Sequence, residues 1–251
     1  VSTTSASASN VVLDLLGRHR SIRRFSPDPI PEEHLRAAVL AGQMASTSSA
    51  VQAYCAIRVR SPDVLARLVR LTGDQPKVAE CGAFLAICGD TRRHRLLAEL
   101  HGHAYDAKLE AFLVATIDAA LFAQNLCVAL ESMGYGICYI GGLRNHLREV
   151  DELLRIPQGV YPLFGLCAGV PAEAPSPRPR LPVEGVLFEE SYPEDSQVME
   201  HVHRYDQQYA EWLAARGAGP KAWSKAMSEK WRTPEREDLA DYYTAKGATL
   251  G

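Results

Sequence analysis

The sequence predicts an α+β fold in which a central mixed β-sheet is covered by helices on both faces and followed by a helical C-terminal arm. Three observations carry this. Helical patterns alternate with only a few strand-like runs, and the strand spacing is irregular, with no internal repeat. The runs AFLAICGD and VYPLFGLCAGVP are nearly all apolar, as in strands buried on both faces. From Glu194 onward the pattern stays helical but becomes more polar, which suits an arm rather than a core.

The elements follow in order. Residues 1–10, VSTTSASASN, read as a disordered leader, with neither the basic nor the apolar region of a signal peptide. Val11–Gly17 reads as a short helix. In SPDPIPEEH, Pro31 suits a first helical position, with Glu32 and Glu33 in the first turn. That helix runs through LRAAVLAGQMA and stops at the hydroxyls of STSS. YCAIRVRS is strand-like, and Pro62 opens the helix DVLARLVRL. AFLAICGD is a buried strand. Leu96 to Met133 reads as mostly helical, ending at Gly134 and Gly136. ICYIGG is a short strand entering a glycine turn, LRNHLREVDELLR is an amphipathic helix, and VYPLFGLCAGVP is another buried strand. EAPSPRPRLPVE is proline-rich and extended. The arm is broken at Gly217–Pro220 and at Thr233–Pro234. The domain reading is a leader at 1–10, a core at 11–193, and a helical arm or lid of the same domain at 194–251.

Bulk properties narrow the function. Hydrophobic residues make up 47% and charged residues 23%, as in globular domains, and the formal charge is −3. No global positive field exists to collect nucleic acid. The six cysteines form no CxxC pair and lie mostly in apolar runs, which points to free thiols in a reducing, cytoplasmic compartment. The most apolar window, Ala111–Leu130, is interrupted by Asp118, Gln124 and Asn125, so it reads as a buried core helix rather than a membrane span. Glu110 and Asp118 share a helix face, and a hydrogen-bonded structural acid is the expected role.

Four stretches could carry chemistry. HRSIRRF packs His19, Arg20, Ser21, Arg23 and Arg24 around Ile22. If it is extended, His19, Ser21 and Arg23 point one way, a donor row suited to phosphate. Arg178 and Arg180 in PRPRL form a second basic pair, stiffened by prolines. ASTSSAVQ places four consecutive hydroxyls after a helix. In YGICYIGGLRN, Gly141 and Gly142 allow a flat ligand to approach backbone N–H groups. There is no phosphate-loop lysine, GxSxG or HExxH. The pairs His101/His103 and His201/His203 lack a third ligand, so no metal is expected.

Taken together, HRSIRRF–x–PDPIPEE, STSSxxQ, LTGDQ, AQN, YIGGLRN, PLFGLCxGxP and PRPRLP resemble the FMN-dependent nitroreductase superfamily. Within it they are most similar to the group A oxygen-insensitive NADPH nitroreductases and NADPH–flavin oxidoreductases. The resemblance runs from Val11 to the C-terminal helices. It implies a nitroreductase-like fold and a homodimer with tightly bound, non-covalent FMN at the interface. It implies that His19, Arg20, Ser21, Ile22 and Arg23 line the FMN site, with His19 and Ser21 toward the phosphate and Arg23 toward the N1/O2 edge. Arg178 and Arg180 would clamp the phosphate, with arginine where the family commonly has lysine at the first position. Gln75 would meet the isoalloxazine ring, and Tyr139, Ile140, Gly141 and Gly142 would place backbone near N5. Ser46, Thr47, Ser48 and Gln52 would approach from the partner subunit. Ser49, Arg216, Lys221 and Arg236 are the nearest candidates for NADPH or substrate contacts.

The implied activity is an NAD(P)H-dependent flavoprotein oxidoreductase. It would move a hydride from NADPH through FMN N5 to nitroaromatics, quinones or related acceptors in a ping-pong cycle, with no protein nucleophile. Arg23 would stabilise the negative charge that reduction leaves on the flavin. The alternative is a flavin reductase supplying reduced FMN to a partner oxygenase. The partners implied are a second copy and small molecules, with no nucleic acid and no membrane.

Overall fold

The computed structural model describes residues 10–219 and 221–249. The expected leader falls outside them, apart from Asn10, whose side chain accepts from the Val12 and Leu13 N–H groups at 3.0 and 3.2 Å and so caps the first helix. The chain forms α1 (Val11–Gly17), α2 (Glu32–Gln43), β1 (Tyr54–Val59), α3 (Pro62–Leu71), α4 (Lys77–Glu80), β2 (Ala83–Asp90), α5 (Arg92–Leu100) and α6 (Lys108–Ser132). There follow β3 (Gly136–Ile140), α7 (Leu147–Leu154), β4 (Val160–Gly169), α8 (Asp195–Ala214), α9 (Trp223–Lys230) and α10 (Leu239–Ala245).

The strands form one sheet in the order β1-β2-β4-β3, and every strand pair is antiparallel. The mixed character expected from the sequence is confined to a single parallel bridge, Ser21 to Ile137. All eight residues of β2 are buried. Side chains alternate across it. Leu85 and Ile87 join Tyr54, Phe122 and Leu126 on the face covered by α2 and α6. Phe84, Ala86 and Cys88 join Leu68, Leu143 and Val150 on the face covered by α3 and α7. Pro162 of β4 has no N–H for the ladder, and the β2–β4 register shifts there, between Ile87 and Cys88.

Helix α6 is long and apolar enough to cross a membrane, yet its Ala115, Asp118, Ala119, Phe122, Ala123, Leu126, Cys127 and Leu130 are buried in the protein. It is a core helix. Gly42 of α2 lets the two helices touch: a Cβ there would lie 2.8 Å from the Phe122 ring.

Two boundaries differ from the sequence reading. Leu96–Met133 is two helices, α5 and α6, separated at 101–107, where Gly102 has φ +70°. Pro31 is the N-cap of α2 rather than its first turn, with φ −53° and ψ 141°.

The described residues divide into two compact units, one of 10–175 with 238–249 and one within 176–237. The sequence placed everything after 193 in one arm, but α10 belongs to the first unit. Tyr242 and Lys246 are buried there, and Lys246 reaches the Ile156 and Pro157 carbonyls and Asp151. In the second unit, α8 packs with α9, the Asp206 carboxylate accepting from the Ser224 N–H and hydroxyl.

Candidate functional site

The HRSIRRF segment is extended, the condition on which its row of donors rested, with bridges at Ser21 to Ile137 and Phe25 to Pro171. Ile22 donates to Ile137 O at 2.9 Å, and Ser26 donates to Val170 O at 2.8 Å. These bonds lay the segment between β3 and the chain leaving β4. Ile22 is buried, and Gly136 of β3 is bare because a Cβ would lie 2.5 Å from it. Ser21 is half-buried and Arg23 is exposed. His19 Nδ1 lies 2.8 Å from Glu131 Oε1 of α6, so the ring's Nδ1–H donates to that carboxylate and its orientation is fixed. His19, Arg20, Ile22 and Glu131 line a cavity of about 260 Å³.

Glu173 fixes the other end. Its Oε1 accepts from the Arg23 and Arg24 N–H groups at 2.5 and 3.2 Å, and its Oε2 accepts from Arg24 Nε at 3.1 Å. The Arg23 N–H, and after it Arg24, hold the Glu173 carboxyl below the usual carboxylate range. A depressed folded-state value gives a contribution that is present above the unfolded pKa of about 4.3 and lost as pH falls through the lower folded value. Acidification from about pH 5 to 3 should therefore lower the protection of the Arg23 and Arg24 amides relative to their intrinsic exchange rates at each pH. In Glu173→Gln that pH dependence should vanish; if it persists, Glu173 is not the group responsible.

Gln75 and the YIGG turn meet. Gln75 Nε2 donates to Thr72 O at 2.5 Å. A Cβ on Gly142 would lie 2.2 Å from that same Thr72 oxygen and 2.7 Å from Gln75 Nε2. Gly142 is thus required by contact within the chain itself. Gly141 is the open one, where a Cβ would meet nothing nearer than Arg144 at 3.7 Å. A short 3-10 turn, Gly141–Asn145, replaces the helix N-terminus expected there. Gly142→Ala should cost about 1–3 kcal/mol, since backbone must shift. A denaturant melt checks this, and an unchanged midpoint would show that the turn relaxes freely.

The fields of Arg23 and Lys77 both reach Cys138 on β3, opposing the burial that raises its pKa. Lys77, the first residue of α4, therefore shares this neighbourhood. The sequence reading missed it, though its place two residues after Gln75 and next to Pro76 was a usable signal. The Tyr139 hydroxyl is tied to α6, 3.4 Å from Gln124 Oε1 and 3.3 Å from Cys127 Sγ. Burial pushes the Cys127 thiol up to about 12, which leaves it protonated and unreactive.

Ser46–Gln52 lies elsewhere. It precedes β1, at the sheet edge opposite β3. Ser46, Ser48, Ser49 and Gln52 are exposed and Thr47 is half-buried. Asp118 is the structural acid expected: it is buried and accepts from the Ser48 and Ala53 N–H groups, whereas Glu110 is exposed.

Within the second unit, the Arg178 guanidinium lies 6.0 Å from the Tyr209 ring and 5.4 Å from Trp212. Arg216 lies 4.7 Å from the same indole and donates to Ser176 Oγ at 3.0 Å. Arg180 donates to Arg178 O at 2.8 Å. Arg178 and Arg216 thus gather on one indole. Arg236 pairs with Glu235 at 3.1 Å, and Lys221 is exposed.

The first unit therefore brings together His19–Arg23, Gln75, Lys77 and Tyr139–Gly142 around β3. It keeps Ser46–Gln52 at the far edge, three strand spacings or about 14 Å across the sheet. The family described as "Nitroreductase family" matches residues 16–170, and "Nitroreductase family, C-terminal domain" matches 178–250. An FMN reductase (NADPH) of Bacillus subtilis is 40% identical, covering 95% of this chain and 98% of its own. An oxygen-insensitive NADPH nitroreductase of Salmonella typhimurium is 37% identical, covering 94% and 97%. The solved structure of NfrA1 nitroreductase from B. subtilis superposes with a TM-score of 0.90 at 39% identity, covering 94% of this chain and 98% of that one. The chain belongs to the nitroreductase family.

Proposed function

We propose that the chain is a homodimeric NADPH-dependent FMN oxidoreductase that passes electrons to nitroaromatic, quinone or similar electron-poor acceptors in a ping-pong cycle. Family membership and relatives named as NADPH-dependent FMN reductases and nitroreductases make it an NAD(P)H-dependent FMN oxidoreductase. The observation that carries the reading is the convergence around β3 of cationic and amide donors from three separate stretches of chain.

This donor set fits FMN. His19, Arg20, Arg23 and Lys77 supply cations and N–H donors for a phosphate and for the ring's pyrimidine oxygens. Gln75 supplies an amide, and Gly141 leaves backbone open beside them. FMN, when bound, supplies the hydride chemistry. The chain's residues would bind and orient it, and the Arg23 guanidinium beside the ring would favour the form that carries more negative charge. Arg178 and Arg180 would reach the phosphate. Arg216, Lys221, Arg236 and Ser49 are the groups proposed to meet NADPH or substrate, and two guanidiniums on the Trp212 indole make Arg216 the strongest of them.

Two observations support the homodimer. The Ser46–Gln52 loop stands at the sheet edge away from β3, so it would serve a partner's flavin more readily than its own. Helix α6 also exposes Leu113, Ile117 and Leu121 at four-residue spacing, an apolar stripe suited to burial against a second copy. The free cysteines fit a cytoplasmic location.

The second reading, a flavin reductase serving an oxygenase, is favoured by relatives named FMN reductase and, in Vibrio harveyi, NADPH-flavin oxidoreductase. Anaerobic mixing of the FMN-loaded protein with NADPH should bleach the flavin band, and a nitroaromatic should restore it. No bleaching rejects both readings. Recovery with free FMN but not with nitroaromatics or quinones selects the second.

A further inference from the structure

The backbone from Ser49 to Gln52 is strained. Ser49, Ala50 and Gln52 have φ of 46°, 58° and 50°, three of the seven non-glycine left-handed residues among those described. No glycine relieves them, so the surrounding structure must impose the conformation.

The groups that impose it come from two helices. Asp118 of α6, 1% exposed, accepts from Ser48 N at 3.2 Å and from Ala53 N at 3.0 Å. Arg93 of α5 donates from Nη1 to Gln52 O at 3.0 Å, and His94 Nε2 lies 2.8 Å from Val51 O, where the ring N–H must be the donor. Arg93 is itself held by Asp90, at 3.3 Å. Asp118 makes no ion pair among the described residues. A buried carboxylate is costly unless fully hydrogen-bonded, and the loop's N–H groups are what bond this one. Both ends of the loop are thus tied inward, while Ser46, Ser48, Ser49 and Gln52 are exposed and Thr47 is half-buried.

We infer that Asp118, assisted by Arg93 and His94, is a positioning residue for the flavin site: it presents Ser46–Gln52 in one fixed geometry. The inference rests on the reading above that this loop meets FMN. Asp118 touches no ligand and acts through the loop.

Asp118→Asn in the full chain tests it. The amide keeps the shape but turns an NH₂ toward one of the two backbone donors, so one bond is lost. Two changes are expected. Amide exchange at Ser48 and Ala53 should speed up by about tenfold or more, and the FMN dissociation constant, read by fluorescence quenching on the apoprotein, should rise by a similar factor. Ile87→Val, a core substitution away from the loop, is the control for general loss of stability and should leave the FMN constant unchanged. Arg93→Gln removes the half-exposed donor to Gln52 together with its ion pair to Asp90 and should raise the constant by about threefold, so the inference stays testable if Asp118→Asn does not fold.

Wild-type exchange and wild-type FMN affinity in Asp118→Asn would overturn the inference. So would an equal loss of affinity in Ile87→Val at matched stability. Failure of the wild-type chain to take up FMN would instead sink the flavin reading, and the exchange comparison would still decide whether Asp118 holds the loop.

Discussion

Replacing Asp151 by alanine is expected to destabilise the protein by about 3–5 kcal/mol, the largest stability effect the structure predicts. Lys246 is 7% exposed, and its ammonium lies 2.8 Å from Asp151 Oδ2 and 3.0 and 2.9 Å from the Ile156 and Pro157 carbonyls. Tyr242, 2% exposed, donates its hydroxyl to Asp151 Oδ1 at 2.6 Å. Burial, and after it Asp151, pushes the Tyr242 pKa up, so that hydroxyl stays protonated as a donor. Without Asp151 the ammonium remains buried with neutral carbonyls alone, and the hydroxyl loses its acceptor. For a chain of this size the melting temperature should fall by about 6–20 °C. The double variant Asp151→Leu/Lys246→Met removes both charges and should recover much of the loss, because apolar replacement of a buried pair is often neutral. Calorimetry of wild type, Asp151→Leu, Lys246→Met and the double variant closes the cycle and gives the coupling directly. Additive losses would mean that the two residues do not act as a pair.

That cluster also shows where a sequence stops being readable. The helical pattern after Glu194 was legible, but the docking of its last helix was not. Lys246 and Tyr242 find Asp151 some ninety residues away, and no local period announces such a contact. Strand β2 was legible to the residue because eight consecutive positions are buried and its ends carry turn chemistry. Helix α4 was not: four residues carry too little periodicity. Alternation about Ile22 said which side chains of HRSIRRF would share a face if it ran extended, but the anchors that hold it so, Glu131 and Glu173, come from distant elements.

The site shows the same division. Residue types and order in YIGG, LTGDQ and HRSIRRF were enough to nominate the donors. They were not enough to say what each glycine is for: Gly142 is bare because Thr72 presses on it, and Gly141 is bare toward open space. The left-handed loop was invisible for a related reason. Strain in a glycine-free stretch is imposed from outside by Asp118, Arg93 and His94, so STSSAVQ alone carries no sign of it.

The largest catalytic effect is expected at Arg23. Its backbone N–H is pinned by Glu173, and Ile22 beside it is buried, so Arg23→Met should leave the segment in place while removing the guanidinium. Arg23 is exposed in the free chain; on the proposed binding FMN covers it, and a cation held there against developing negative charge is worth about 2.7–4 kcal/mol, or a rate factor of about 10²–10³. Two readouts should move together. The rate of flavin reduction by NADPH in anaerobic stopped flow should fall by about that factor, and the flavin midpoint potential should become more negative. Arg23→Lys keeps the charge without the bidentate fork and should fall between. Lys77 is the internal comparison. Its charge also reaches Cys138, so Lys77→Met should shift the potential in the same direction, and by less if Arg23 lies nearer the charge. A normal rate and potential in Arg23→Met would remove Arg23 from the electrostatic role and leave it a binding residue only. A normal potential with a slowed rate would place its effect on NADPH rather than on the flavin.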